Sequence, residues 1–166
     1  MKLWWILLGL FVATATSGAH AQVEFIEGHG GVAGVDKSGK GAVLCMWQVL
    51  VTAQATREPC GVQRQPIDDE IDAGVAEIDL FIMANAKRFP ATPDSLATEK
   101  ANIVQIPLDA LKKYPEARAD ICYATNAFHG MPAWPPEARQ LAARAMRHSV
   151  RGLLSIPREP VMNPCL

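Results

Sequence analysis

At 166 residues, with 49% apolar and 20% charged side chains, the chain suits one ordinary globular domain. It is long enough to bury a core and too apolar to remain disordered. Sixteen Lys and Arg against 17 Asp and Glu leave a formal charge of −1, which provides no basic footprint for nucleic acid or an anionic membrane.

Met1-Lys2 opens the chain with a positive charge, and Leu3 to Ala13 follows as an unbroken apolar run. Ala19-His20-Ala21 then places small residues at the two positions that a signal peptidase reads. Together these parts predict a secretory signal peptide over residues 1–21, cut before Gln22. The run is shorter than the roughly 20 apolar residues needed to cross a bilayer, so no membrane partner is expected after cleavage. The mature chain would carry a formal charge of −2, because the lost segment holds one lysine and no acid. It would be periplasmic or secreted.

Residues 22–41 are rich in glycine and poor in large apolar side chains after Ile26, which predicts a flexible arm. Within it, GVDKSGKG (Gly34 to Gly41) follows the spacing of a phosphate-binding loop up to its last position. There Gly41 stands where Ser or Thr would hold magnesium, so no nucleotide or other cofactor is expected.

Residues 42–166 read as a single helical domain. Ala42 to Gly61 begins with a dense apolar run whose first part, residues 42–52, would suit a buried helix or a buried strand. Its length and polar second half favour a helix stopped by Pro59 and Gly61. Pro66 to Ala86 is the clearest helix: Ile67, Ile71, Val75, Ile78, Ile82 and Asn85 recur in steps of three and four, widened by Phe81. Pro66 suits its first position, and Asp68, Asp69, Glu70 and Asp72 read as solvated acids at the positive end of the helix dipole. Thr92 to Gln105 repeats the device, with Thr92 as cap, Pro93 in the first turn and Pro107 as terminator. Leu108 to Ala127 reads as a short helix, a break at Pro115 and a second helix carrying Cys122. Pro136 to Ser155 is a long helix with an expected inner face of Leu141, Ala142, Ala145, Val150, Leu153 and Leu154. Its arginines, Arg139, Arg144, Arg147 and Arg151, fall mostly on a solvated face. The expected fold is an all-α, disulfide-stapled bundle of four or five helices, with a glycine-rich N-terminal arm and an extended, proline-rich C-terminal tail.

Cys45, Cys60, Cys122 and Cys165 all lie beyond the signal peptide, and an even count in an oxidising compartment predicts two disulfides. No CxxC or CxxCH occurs, so zinc, a redox pair and attached haem lack their spacing. Four cysteines allow three pairings. The tail from Ile156 to Cys165, stiffened by Pro157, Pro160 and Pro164, would extend at about 3.1 Å per residue. Laid back along the last helix, it would bring Cys165 to Cys122 and leave Cys45 to Cys60.

Chemistry is sparse. His29, His129 and His148 remain after signal removal, and no two have metal-ligand spacing. A Cys122–His129 dyad would need a free thiol, and Asp79 and Asp120 could meet only through the fold. Neither GxSxG nor HExxH occurs, so no catalytic, metal or cofactor residue is expected. HGMPAWPP places Met131 and Trp134 in a proline-stiffened turn, a candidate partner contact; in the plainer account Trp134 staples the turn to the bundle. The plan of signal peptide, two disulfides and helices is similar in architecture, without a shared motif, to periplasmic immunity proteins against secreted cell-wall amidases. That resemblance implies a protein that binds. The expected function is an exported helical protein acting on a partner as inhibitor, immunity-type or accessory factor. The alternatives are a small periplasmic enzyme whose site assembles only in the fold, and a structural envelope protein without a discrete site.

Overall fold

The computed structural model describes residues 34–87, 90–130 and 134–163. The described chain is all-helical, with five helices: α1 (Val43–Arg57), α2 (Pro66–Asn85), α3 (Pro93–Lys113), α4 (Pro115–Phe128) and α5 (Pro136–Leu153). The one extended pairing among the described residues is an isolated parallel bridge between Val35 and Asn163.

The stretch that could have been helix or strand is α1, and it buries Val43, Cys45, Trp47, Leu50, Val51, Ala53 and Thr56 on several sides. A helix apolar nearly all round belongs at the centre of a bundle, and α1 packs on α2, α3 and α4. The α2 stripe is buried as its spacing requires, with Ile71 and Ile78 wholly inside. Its closest neighbour is α5. Gly74 permits that approach: a Cβ there would lie 3.1 Å from Val150 Cγ2 and 3.2 Å from Leu50 Cδ1.

Three sequence expectations shift. The helix from Pro93 does not stop at Pro107 but continues to Lys113. Proline removes one N–H and strains one turn, costing about 3 kcal/mol, which packing against α1 and α4 can offset. The inner face of α5 is Ala143, Val150 and Leu153, with Ala142, Met146 and Leu154 partly covered. Leu141 is instead 61% exposed, because the helix is rotated to set Ala143 and Val150 on α2. The α5 arginines are not merely solvated either: Arg139 Nη1 donates to Gln65 Oε1 at 2.9 Å, and Arg147 forms a two-pronged pair with Glu70. That contact from Arg147 outweighs partial burial and holds the Glu70 carboxyl below its ordinary range.

The disulfide pairing also differs from expectation. Cys60 is bonded to Cys122. Cys45 lies near the start of α1 and Cys60 just past its end, so 15 residues of helix rise hold them roughly 20 Å apart, beyond any disulfide. Arg118 Nη2, one turn before Cys122 on α4, reaches the Pro59 carbonyl at 2.8 Å. The same face of α4 thus carries both the bond and the guanidinium that fasten the turn after α1. Cys45 is disulfide-bonded too; Cys165 lies outside the described residues.

The tail does not run back along α5. It crosses the start of α1, where the Val161 carbonyl accepts the otherwise unpaired Leu44 N–H at 3.0 Å. Pro160 and Val161 are buried there. Arg158 donates to Asp36 Oδ1 at 2.8 Å, to the Gly41 carbonyl at 2.7 Å and to the Leu153 carbonyl at 2.7 Å, and lies over the Phe81 ring. Asp36 also accepts from Ser38 Oγ and Gly41 N. Burial would push its carboxyl up, but these hydrogen bonds together prevail and hold it below the ordinary value of 3.8. The loop with phosphate-binding spacing is therefore closed around its own carboxylate, and residues 34–41 of the expected arm are clasped to the tail. Residues 1–33 lie outside the described residues.

Candidate functional site

Two features lie where α1, α2 and α4 converge: a buried polar cluster and an open cleft beside it.

The cluster centres on His129, 1% exposed, and Asp68, 3% exposed. Capping of the kind seen at Thr92 is repeated at α2, where the Gln65 N–H donates to Asp68 Oδ2 at 2.5 Å. The other oxygen, Oδ1, is 2.5 Å from His129 Nδ1. His129 Nε2 is 3.0 Å from the Ala53 carbonyl of α1. A carbonyl can only accept, so Nε2 carries a proton, and a further proton lies between Nδ1 and Oδ1. The pair is thus imidazolium with carboxylate or imidazole with carboxylic acid, and each form satisfies every partner. His129 reaches this position because α4 ends on it: its N–H bonds the Thr125 carbonyl at 3.1 Å, and Gly130 follows at φ +77°, the left-handed turn that glycine closes most easily. Trp134 packs over Gly130 and keeps 39% exposure.

This cluster corrects the reading of the α2 acids as uniformly solvated. Asp69 and Asp72 do face solvent, where both pair with Arg64, but Asp68 is inside. The sequence carried a signal for it: Asp68, Ile71, Val75, Ile78 and Ile82 follow steps of 3, 4, 3 and 4, so the acid stands within the apolar stripe. An acid in that register needs a buried partner. His129 continues the inward Ile121–Thr125 register of α4 in the same way. The Cys122–His129 dyad does not exist, since Cys122 is bonded to Cys60. Asp79 does not meet Asp120; it accepts from the Trp47 indole at 2.8 Å and from Lys100. His148 is exposed on α5. His29 and Met131 lie outside the described residues. Among the described residues no group of three His, Cys, Asp or Glu is placed to hold a metal, and no helix is long and apolar enough to cross a membrane.

The cleft has a volume of about 400 Å³ and opens between α1 and α4, with Pro107 of α3 at one side. Its wall on α1 is Gln48, Val49, Thr52, Ala53 and Thr56, and on α4 Ile121, Ala124, Thr125 and Phe128. Space remains there because Ala53, Ala124 and three threonines stand where a tightly filled bundle would place large side chains. Thr56 Oγ1 donates to the Thr52 carbonyl at 2.9 Å, and the Thr125 hydroxyl lies 2.9 Å from Thr56 Oγ1 and 2.8 Å from the Ile121 carbonyl. Ala53 belongs to both features, its carbonyl to the cluster and its side to the cleft. The periodicity of α1 and α4 places Ala53, Thr56 and Thr125 on inward faces; the gap between them depends on how three helices cross, which no local pattern encodes.

Comparison of the chain with known protein families, with curated proteins and with solved structures found no match.

Proposed function

We propose that this chain is an exported binding protein that holds a partner at the α1–α4 cleft in an inhibitory or accessory role. The observation that carries the reading is the cleft itself: a concave surface of about 400 Å³, within the range of ligand sites, with no charged residue in its lining. Its floor is fixed by the Thr56–Thr125 contact and by the His129 bond to Ala53, so a partner would meet a surface already in place. The buried cluster serves this reading as a brace. The Cys60–Cys122 disulfide accords with an oxidising compartment, and the charged start, apolar run and Ala19-His20-Ala21 accord with export.

A photo-reactive benzoylphenylalanine at Val49, in cells that make the chain, tests the binding reading. Light-dependent adducts, of protein or small-molecule mass, are expected at this position and not at Arg144 on exposed α5. Their absence at Val49 would overturn the assignment of the cleft. N-terminal sequencing of the extracytoplasmic fraction tests export: a start at Gln22 is expected, and material still beginning at Met1 would contradict it.

A further inference from the structure

The cleft contains two polar side chains with no hydrogen bond to the described chain: the Gln48 carboxamide and the Thr52 hydroxyl. They stand one turn apart on α1, both half-buried, so they present donors and acceptors to the same side of the cleft. The remaining hydroxyls of the lining, Thr56 and Thr125, are already engaged with each other and with backbone carbonyls. Every other group facing the space is apolar: Val49, Ala53, Pro107, Ile121, Ala124 and Phe128.

Resting on the proposed binding role, the geometry points to a specific occupant: a small, uncharged, largely apolar molecule carrying one hydrogen-bonding group, which Gln48 and Thr52 receive. Size argues for a small molecule, since about 400 Å³ is near the lower end of ligand sites. Charge is disfavoured because no Lys, Arg, His, Asp or Glu lines the cleft, and a desolvated charge without a partner is costly. A broad protein interface is disfavoured by the surroundings. The exposed faces of α3 and α4 beyond the cleft are mixed: Asp94, Gln105, Lys112, Glu116, Arg118 and Asp120 stand among exposed Ile106, Tyr114 and Tyr123. Those charged side chains interrupt the apolar surface, whereas stable protein contacts bury roughly 800 Å² per partner around an apolar centre.

The test uses the oxidised mature chain and N-phenyl-1-naphthylamine, an uncharged, apolar fluorophore with a single N–H donor. Saturable one-site binding is expected by fluorescence titration. Ala124→Trp, at an exposed helical position, should fill the space and weaken binding at least tenfold while leaving the melting temperature unchanged or raised. Gln48→Leu preserves bulk but removes the carboxamide, and should weaken binding about fivefold, the loss of one hydrogen bond. The sulfonated analogue 8-anilinonaphthalene-1-sulfonate should bind at least tenfold more weakly. Non-saturable binding, or saturable binding that ignores both substitutions, would overturn the inference; so would tighter binding of the sulfonate. If the fluorophore fails while Val49 still yields protein adducts, the small-molecule occupant falls and the binding role stands. If both fail, both fall.

Discussion

Removing the imidazole of His129 should be among the most damaging single changes to this fold. His129→Ala leaves the Asp68 carboxyl buried with one of its two partners and strips the Ala53 carbonyl of its Nε2 donor. Breaking a buried pair on one side costs about 3–5 kcal/mol, much of it the desolvation of the group left behind. Against a typical total of roughly 5–15 kcal/mol, that loss would consume a large part of the stability. The melting temperature should fall by roughly 10–20 °C. Asp68→Ala should cost a similar amount, including about 1 kcal/mol for the lost cap of α2.

The informative variant is Asp68→Asn. Turned with its Nδ2 toward His129 Nδ1 and its Oδ1 toward the Gln65 N–H, the amide can satisfy every partner, with neutral imidazole donating from Nε2 to Ala53. It should therefore cost about 1 kcal/mol, far less than the alanine. Urea unfolding at neutral pH, followed by far-ultraviolet circular dichroism with a shared slope, measures all three. The double variant Asp68→Ala, His129→Ala should lose less than the sum of the singles, since neither is left to strand the other. If Asp68→Asn proves as damaging as Asp68→Ala, hydrogen-bond satisfaction is not what the pair supplies. If His129→Ala falls within about 1 kcal/mol of the parent, the cluster is not a brace at all.

Other consequences follow from single contacts. Asp36 titrates below 3.8 in the folded chain, so its clasp contributes stability above that value and loses it as pH falls through the folded value. Hydrogen-exchange protection at the Leu44 and Asn163 amides should drop below about pH 3.8 before that of α2, and Asp36→Asn should remove this pH dependence; unchanged protection in acid would contradict it. Gly74→Val should cost about 2–3 kcal/mol by thermal unfolding, because even a Cβ meets Val150 at 3.1 Å; a neutral result would mean α5 is free to shift. Non-reducing peptide mapping should yield Cys60–Cys122 together with Cys45–Cys165. Cys45 is disulfide-bonded, Cys165 is the one cysteine left to it in the chain, and Val161 and Asn163 are held beside Leu44 and Val35. A Cys122–Cys165 peptide as the main species would refute this pairing. Cys60→Ser should destabilise by about 4 kcal/mol on the chain-entropy account of a 62-residue separation; a loss under about 1 kcal/mol would count against it.

The fold was legible wherever a local pattern governs it. The α2 stripe and its proline start, the Thr92 cap of α3 and the extent of α5 all follow from spacing and capping chemistry. Pro107 was misleading because its local cost is real, yet contacts made by α3 with distant segments outweigh it. The disulfides misled for a related reason: reach along the chain allowed Cys165 to approach Cys122, but the crossing of α4 over the end of α1 gave that position to Cys60. Asp68 and His129 lie 61 residues apart. Each stood in an inward register, which signals a buried polar residue; that they are partners was decided by where α4 ends against α2.

Stability and the proposed binding surface are arranged on different sides of α1. One side meets α2, where Leu50 packs against Gly74 beside Val150 of α5, so closely that a methyl group would push both neighbours back by a few tenths of an ångström. The other side is underfilled: Ala53, Thr56, Ala124 and Thr125 leave space that larger apolar side chains could occupy with a gain in burial. Looseness would normally accompany such underfilling, because small side chains let neighbouring helices settle together. Here settling is opposed by fixed contacts on the cleft floor and beyond its end: the Thr56–Thr125 hydroxyls, His129 on the Ala53 carbonyl, and the Cys60–Cys122 bond between the turn after α1 and α4. These contacts hold α1 and α4 in register without filling the space between them. Filling the cleft and bracing it are consequently separable by substitution. A large residue at Ala124 should leave the fold intact while closing the cleft, whereas loss of His129 should weaken the fold while leaving every cleft-lining side chain unchanged.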